Sequence, residues 1–213
     1  MDRTLDPFSL IETLRYEPRQ GFTRLRLHLA RLERSARRIG FPKPADAAAR
    51  LQEAVVGAAG PLRVRLTFDS TGRVEVTTAP FAPLSPEMIW TVGVAETRLD
   101  SADKLLRIKT TRRAVYDAAR AEFTTLQADE VLMLNERGDV CEGTITSVFL
   151  DDGSGILRTP PIACGLLAGV LRTELICQRK ARVARITLDD LATGKLFVGN
   201  SLRGLIPAKL SEH

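Results

Sequence analysis

Residues 128–150 read ADEVLMLNERGDVCEGTITSVFL, and residues 159–176 read TPPIACGLLAGVLRTELI. The first stretch predicts strands at 130–134, 140–141 and 147–150, with a turn at 135–138 carrying Asn135 and Gly138. In the second, a rigid Pro-containing loop at 159–165 leads into a helix at about 170–178. Glu142 interrupts the strand-rich region and is followed by Gly143 and three hydroxyl residues. A carboxylate there is either a solvated turn residue or a buried partner for a cation. Gly169 stands just before a helix, where free backbone N–H groups and the helix dipole favour an anion such as phosphate.

Working outward, residues 8–16 have strand character and stop at Pro18 and Gly21. A helix at 27–39 puts Leu29, Leu32, Ala36 and Ile39 on one face, and Gly40 closes it. A second helix is predicted at 45–59. Leu62, Val64 and Leu66 alternate with arginines in a strand, and Ser70-Thr71-Gly72 turns it into a hairpin partner at 73–78. A third strand at 89–96 completes an N-terminal α+β lobe over residues 1–98. Residues 99–213 form a C-terminal α/β lobe, opening with a polar linker. It holds a helix at 112–123 and further strands at 156–158, 181–188 and 196–199, with a short helix near 188–192. The fold class is therefore α+β, mixed and two-lobed.

Bulk properties narrow the function. The chain has 213 residues, 44% of them apolar, and a formal charge of +5. It contains no long uncharged apolar stretch to span a membrane, and the first six residues lack the apolar segment of a secretory signal. A cytoplasmic protein is expected. Its arginines are scattered and not interleaved with aromatics, which argues against nucleic acid and leaves a small anionic ligand as their use. The three cysteines, Cys141, Cys164 and Cys177, match no zinc or redox spacing. With two histidines, His28 and His213, a multi-histidine metal centre is excluded and no metal is expected. Walker A and Gly-x-Gly-x-x-Gly loops are absent.

Among the lysines, Lys109 stands out. It follows Leu105-Leu106-Arg107-Ile108 and precedes Thr110-Thr111-Arg112-Arg113 and a helix. A lysine at such an entry can be desolvated, which favours the neutral, nucleophilic amine.

Taken in this order, the segments resemble the aminotransferase class IV family, the fold-type IV enzymes of pyridoxal 5′-phosphate (PLP). The resemblance spans about residues 8–207. It implies a two-lobed PLP-dependent fold with the cofactor between the lobes. Lys109 resembles the lysine that holds PLP covalently and moves protons, and Glu142 the glutamate that pairs with the pyridine nitrogen and keeps it an electron acceptor. Arg31, in His28-Leu-Ala-Arg31-Leu, resembles the arginine that grips the phosphate. Val170 and Leu171 match the backbone donors at the phosphate-binding helix start, and Asn200 and Ser201 the later phosphate-side positions. Thr144, Ile145 and Thr146 match the segment lining the cofactor's face. His28 itself reads as structural.

Departures from the family bear on the reaction. The chain begins at about the last part of the family's usual opening segment. The tyrosine that branched-chain aminotransferases carry five residues after the lysine is Ala114, and a usual asparagine is Ser147. The short start resembles the lyase-like domain found behind aminodeoxychorismate synthase. These features favour 4-amino-4-deoxychorismate lyase, giving 4-aminobenzoate and pyruvate. An aminotransferase of branched-chain or D-amino acids with a 2-oxo acid acceptor is the alternative, and a non-catalytic PLP-fold binding protein a third reading. Thr13 could place a hydroxyl near the reacting atoms, and Arg107, Arg112 and Arg203 are candidates for substrate carboxylates. A homodimer acting on a small amino substrate is expected from the resemblance.

Overall fold

A computed structural model describes residues 8–211 of the chain. The N-terminal residues read above for a leader and His213 lie outside the described residues. The chain forms two compact units, Met1–Ala82 with Ile108–Arg112, and Pro83–Arg107 with Arg113–His213.

The first unit is built on a four-stranded sheet of order β2-β1-β3-β4, from β1 (Leu10–Glu17), β2 (Gly21–Phe22), β3 (Leu62–Phe68) and β4 (Val74–Pro80). The alternation read in the sequence sorts the two faces. Leu10, Leu14, Val64, Leu66 and Phe68 are all buried to within 1%. Cross-strand partners share a face, so this set forms the core side with Leu32 and Ala36 of α1 (Leu25–Ile39) and Leu51 of α2 (Ala47–Glu53). Helix α2 is shorter than predicted. It is capped at Ala54, and the residues after it run in turns through Gly57, whose φ is 75°.

The segment Ile108–Arg112 pairs with the start of β1. Ile11 N–H donates to the Lys109 carbonyl at 2.9 Å, Thr111 N–H to the Ser9 carbonyl at 2.9 Å, and Leu10 lies opposite Thr110. The lobe boundary read from sequence therefore differs from the units observed. Lys109 falls in the first unit. The strand at 89–96, assigned to the first lobe, is β5 (Trp90–Leu99) and pairs in the second unit's sheet. Its apolar alternation was legible, but alternation carries no information on which partner a strand chooses.

The second unit holds an eight-stranded sheet of order β10-β9-β8-β11-β12-β5-β6-β7. Its remaining strands are β6 (Glu130–Asn135), β7 (Val140–Gly143), β8 (Ser147–Asp151), β9 (Leu157–Thr159), β10 (Ala181–Val183), β11 (Lys195–Asn200) and β12 (Gly204–Leu210). An extra β8–β7 pairing closes six of them into a ring. Trp90, Val92, Leu132, Leu134, Val140, Val148, Leu150, Val198 and Ile206 fill one apolar cluster with Ile186 and Leu191. The intervening residues Val131, Met133 and Cys141 pack with Ala119 of α3 (Ala114–Ala121) instead. Helix α4 (Val170–Cys177) seats Leu171 and Leu175 on Phe149, and α5 (Leu188–Thr193) starts with a capping box at Thr187 and Asp190.

Strand β12 was not read from the sequence because Pro207 interrupts its pattern. The structure shows why proline is tolerated: the parallel ladder to β5 begins one residue later, at Ala208–Trp90. No helix among the described residues is long and apolar enough to cross a membrane.

Candidate active site

In the first unit, Lys109 is half-buried at the sheet edge. Thr110 faces the core side opposite Leu10, so alternation puts Lys109 on the other face with Ile11. The next two rows on that face hold Thr13 opposite Arg65 and Arg15 opposite Arg63. Thr67, Thr77 and Ala79 complete it, with Glu75 at the far strand. Arg15 pairs with Glu17 and lies 5.1 Å over the Phe81 ring. Arg63 and Arg65 are exposed and form no ion pair among the described residues. The sequence reading named Thr13 here but not these arginines.

On the core side sits a buried charge cluster. Glu12 is 3% exposed, His28 1% and Arg31 6%. Arg31 donates from Nε to Glu12 Oε1 at 2.8 Å and from Nη2 to Oε2 at 2.6 Å. Burial pushes the Glu12 carboxyl up, but the Arg31 charge and the bonds from Arg31 and His28 pull it further down, to about 2. Burial lowers the His28 pKa against the pull of Glu12, so its ring stays neutral near pH 7 and Nδ1–H donates to Glu12 Oε2 at 2.6 Å. Sequence reasoning missed Glu12. The available signal was a carboxylate in the inward register of Leu10 and Leu14, which demands a buried cation.

In the second unit, Glu142 owes its direction to a β-bulge. Leu134 lies opposite Val140 but Met133 lies opposite Glu142, so Cys141 is the extra residue. The bulge turns Glu142 to the side that Met133 and α3 occupy. There Tyr116 donates from Oη to Glu142 Oε1 at 2.8 Å, and Leu167 N–H donates to the same oxygen at 3.2 Å. Burial and the neighbouring Glu142 carboxylate push the Tyr116 phenol well above its ordinary pKa, so it remains a donor.

The loop 144–146 is tied down from beneath by Glu130, which is 1% exposed. Glu130 Oε1 accepts from Thr144 N–H at 3.0 Å and Thr144 Oγ1 at 2.6 Å. Its Oε2 accepts from Ile145 N–H at 3.1 Å and Thr146 Oγ1 at 2.8 Å. Gly143 makes room for this, since a Cβ there would stand 2.8 Å from Glu130 Oε2. Arg113 donates to the Thr144 carbonyl at 2.7 Å and stacks 4.9 Å over the Tyr116 ring. Asn200 donates to the Ile145 carbonyl at 3.3 Å and accepts from Leu202 and Arg203 N–H. Ser201 is buried beside it. We expect Glu130→Gln to lower stability by about 1–3 kcal/mol, because the amide NH₂ turns toward donors that lose their acceptor. A denaturant melt checks this, and an unchanged midpoint would show the loop needs no such clamp.

Val170 and Leu171 open α4, where their N–H groups precede any intrahelical acceptor. A side chain on Gly169 would clash with Ser147 Oγ, so this close approach requires glycine. Behind it, Arg172 is buried, donates from Nη2 to the Pro160 carbonyl at 2.8 Å and leaves Nε without a hydrogen-bond partner. The second unit thus gathers Glu142, residues 144–146, Asn200, Ser201 and the α4 start. Among the other sequence candidates, Arg112 lies 4.8 Å over Phe8 and Arg203 5.9 Å over Trp90, while Arg107 has a buried Nε with no partner. Taken unit by unit, a half-buried lysine and a buried arginine in the first, and an anchored carboxylate and a helix N-terminus in the second, are residue types whose chemistry suits PLP.

Comparison with known proteins agrees with this chemistry. A family model described as amino-transferase class IV matches residues 9–210. The solved structure of a proposed amino-acid aminotransferase from Mesorhizobium loti is 50% identical with a TM-score of 0.93, covering 95% of this chain and 99% of that one. The structure of 4-amino-4-deoxychorismate lyase from Pseudomonas aeruginosa is 27% identical with a TM-score of 0.78, covering 96% of this chain and 84% of that one. Among curated proteins, a proposed branched-chain-amino-acid aminotransferase of Methanocaldococcus jannaschii is 30% identical over 95 residues. That match takes in 42% of this chain and 33% of the relative, so the chain spans about a third of that relative's length. With the family model covering nearly all of its length, the chain belongs to the amino-transferase class IV family of PLP-dependent enzymes.

Proposed function

We propose that the protein is a PLP-dependent lyase that converts 4-amino-4-deoxychorismate into 4-aminobenzoate and pyruvate, acting as a cytoplasmic homodimer. The observation that supports the substrate assignment is the face on which Lys109 lies. Beyond Ile11, its rows carry Thr13, Arg65, Arg15 and Arg63. A branched aliphatic side chain calls for apolar walls. A substrate with two carboxylates, one on the ring and one on the enolpyruvyl group, suits arginines.

When bound, PLP supplies the electron sink. The other roles belong to the chain. Lys109 takes the proton from the carbon bearing the amino group. The ether bond to the enolpyruvyl group then breaks, that group picks up a proton and leaves as pyruvate, and the ring becomes aromatic. In the second unit, Glu142 would pair with the pyridine nitrogen, the Val170 and Leu171 N–H groups, Asn200 and Ser201 would hold the phosphate, and residues 144–146 would line the ring. In the first unit, Arg31 would serve the phosphate and Thr13 would offer a hydroxyl to the leaving group. Arg107, Arg112 and Arg203 remain reserve contacts for carboxylates.

The aminotransferase reading has its own support in the 50% identity to the Mesorhizobium loti protein. One pair of assays separates them. Aminodeoxychorismate supplied without any oxo acid should yield equal amounts of pyruvate and 4-aminobenzoate. Turnover confined to branched-chain or D-amino acids with 2-oxoglutarate would reject the lyase. Arg65→Ala should raise KM for aminodeoxychorismate about tenfold or more with a smaller change in kcat, the loss of one charge-assisted contact. An unchanged KM would remove Arg65 from the substrate site.

A further inference from the structure

We propose that Tyr116 is a positioning residue for the reaction, holding the Glu142 carboxylate in the form that serves the cofactor's ring nitrogen; this rests on the PLP reading above. The geometry is confined to the second unit. The β-bulge at Cys141 swings Glu142 toward α3, and α3 answers with a phenol from its first turn at 2.8 Å. Arg113 stacks on the same ring at 4.9 Å and grips the Thr144 carbonyl. One helical turn therefore braces both the carboxylate and the loop that follows it. Leu167 N–H adds a second donor to the same oxygen at 3.2 Å.

Two donors on one carboxylate oxygen do two things. They fix the plane of the carboxylate, removing rotamer freedom that any ligand would otherwise have to restrain. They also hold it as an oriented acceptor. A carboxylate held this way is the partner that a protonated ring nitrogen calls for. Arg172, whose cationic form Glu142 favours, acts in the same sense from α4. The nearby Cys141 thiol is pushed up by burial and stays uncharged, so it does not oppose them. The position five residues after Lys109 is Ala114; Tyr116 stands two residues further on in the same turn and reaches the carboxylate.

Tyr116→Phe tests this because it keeps the ring beneath Arg113 and removes only the hydroxyl. We expect a PLP dissociation constant about tenfold weaker, read by titrating apoprotein with PLP and following the visible band, and kcat lower by about tenfold or more with KM little changed. In a Glu142→Ala background the same substitution should change PLP affinity less than about twofold, since the partner is gone. A Phe variant with wild-type affinity and kcat, and only a shifted melting temperature, overturns the proposal and leaves Tyr116 a structural residue. An undiminished effect in the Glu142→Ala background also overturns it. A wild type that binds no PLP overturns the functional reading and this inference with it.

Discussion

Lys109→Ala should lose the absorption band near the visible-violet boundary that PLP gives the wild type, and turnover should fall by at least about 10³-fold. The size of the effect follows from two functions resting on one amine. In the proposed reaction Lys109 anchors the cofactor and moves the proton, and no other lysine among the described residues lies on the same sheet face. The fold should survive the change. The segment Ile108–Arg112 is held by main-chain bonds, Ile11 N–H to the Lys109 carbonyl and Thr111 N–H to the Ser9 carbonyl. Thr110 and Ile108, its neighbours, are the buried residues. A half-buried lysine side chain contributes reach rather than packing, so the melting temperature of the apoprotein should move by only a few degrees. Retained colour and turnover in a well-folded Lys109→Ala protein would remove Lys109 from the chemistry and with it the PLP reading of the first unit. Lys109→Arg is the companion variant. It restores the charge but not a deprotonable amine, so it should be as inactive as alanine.

Lys109 also shows how much sequence alone conveyed. Its apolar approach and the helix after it were visible, yet it gained meaning only in the company of Glu142, Arg31 and Gly169. Period-2 patterns were read well where one face is buried: Leu62–Phe68 was bounded to the residue, because Val64, Leu66 and Phe68 alternate with exposed positions. Three kinds of feature stayed hidden. A strand's partner is a long-range choice, so β5 was assigned to the wrong unit. A bulge reverses the facing of every later residue in its strand, so alternation could not show that Glu142 turns toward α3. And polar residues that act on other polar residues leave no periodic trace. Tyr116 was passed over because the helix read at 112–123 gave its polar positions no partner, and Glu130 because it sits at the end of a uniformly buried strand. Thr13 was read as a hydroxyl near the reacting atoms, and the register places it one row from Ile11.

Glu12→Leu should destabilise the protein by about 3–5 kcal/mol at pH 7, the cost of leaving the buried Arg31 charge without its partner. The wild type should carry the same dependence on pH. The Glu12 carboxyl titrates at about 2 in the folded chain against 4.5 when unperturbed. A depressed pKa means that stability is present above the unfolded value and is lost as pH falls toward the folded one. The window is therefore about pH 4.5 to 2, and the loss across it is about 3 kcal/mol. His28 adds an earlier step of the same sign. Its folded pKa lies below 6.5, so on acidification the unfolded chain takes up this proton first and stability begins to fall below that pH. Denaturant melts at intervals from pH 7 to 3 would trace both steps. Subtracting the Glu12→Leu curve isolates this cluster from other acid-sensitive carboxylates such as Glu136 and Asp190. Parallel curves for variant and wild type would mean that Glu12 does not depend on Arg31. If the single variant does not fold, Glu12→Leu with Arg31→Met removes the orphaned charge and should recover most of the stability. That double variant separates the two duties of the cluster. It should melt nearly like the wild type yet bind PLP at least about tenfold more weakly, because the arginine assigned to the phosphate is gone. A double variant that is both stable and fully competent for PLP would leave Arg31 a structural ion, and would move the phosphate's charge partner elsewhere in the chain.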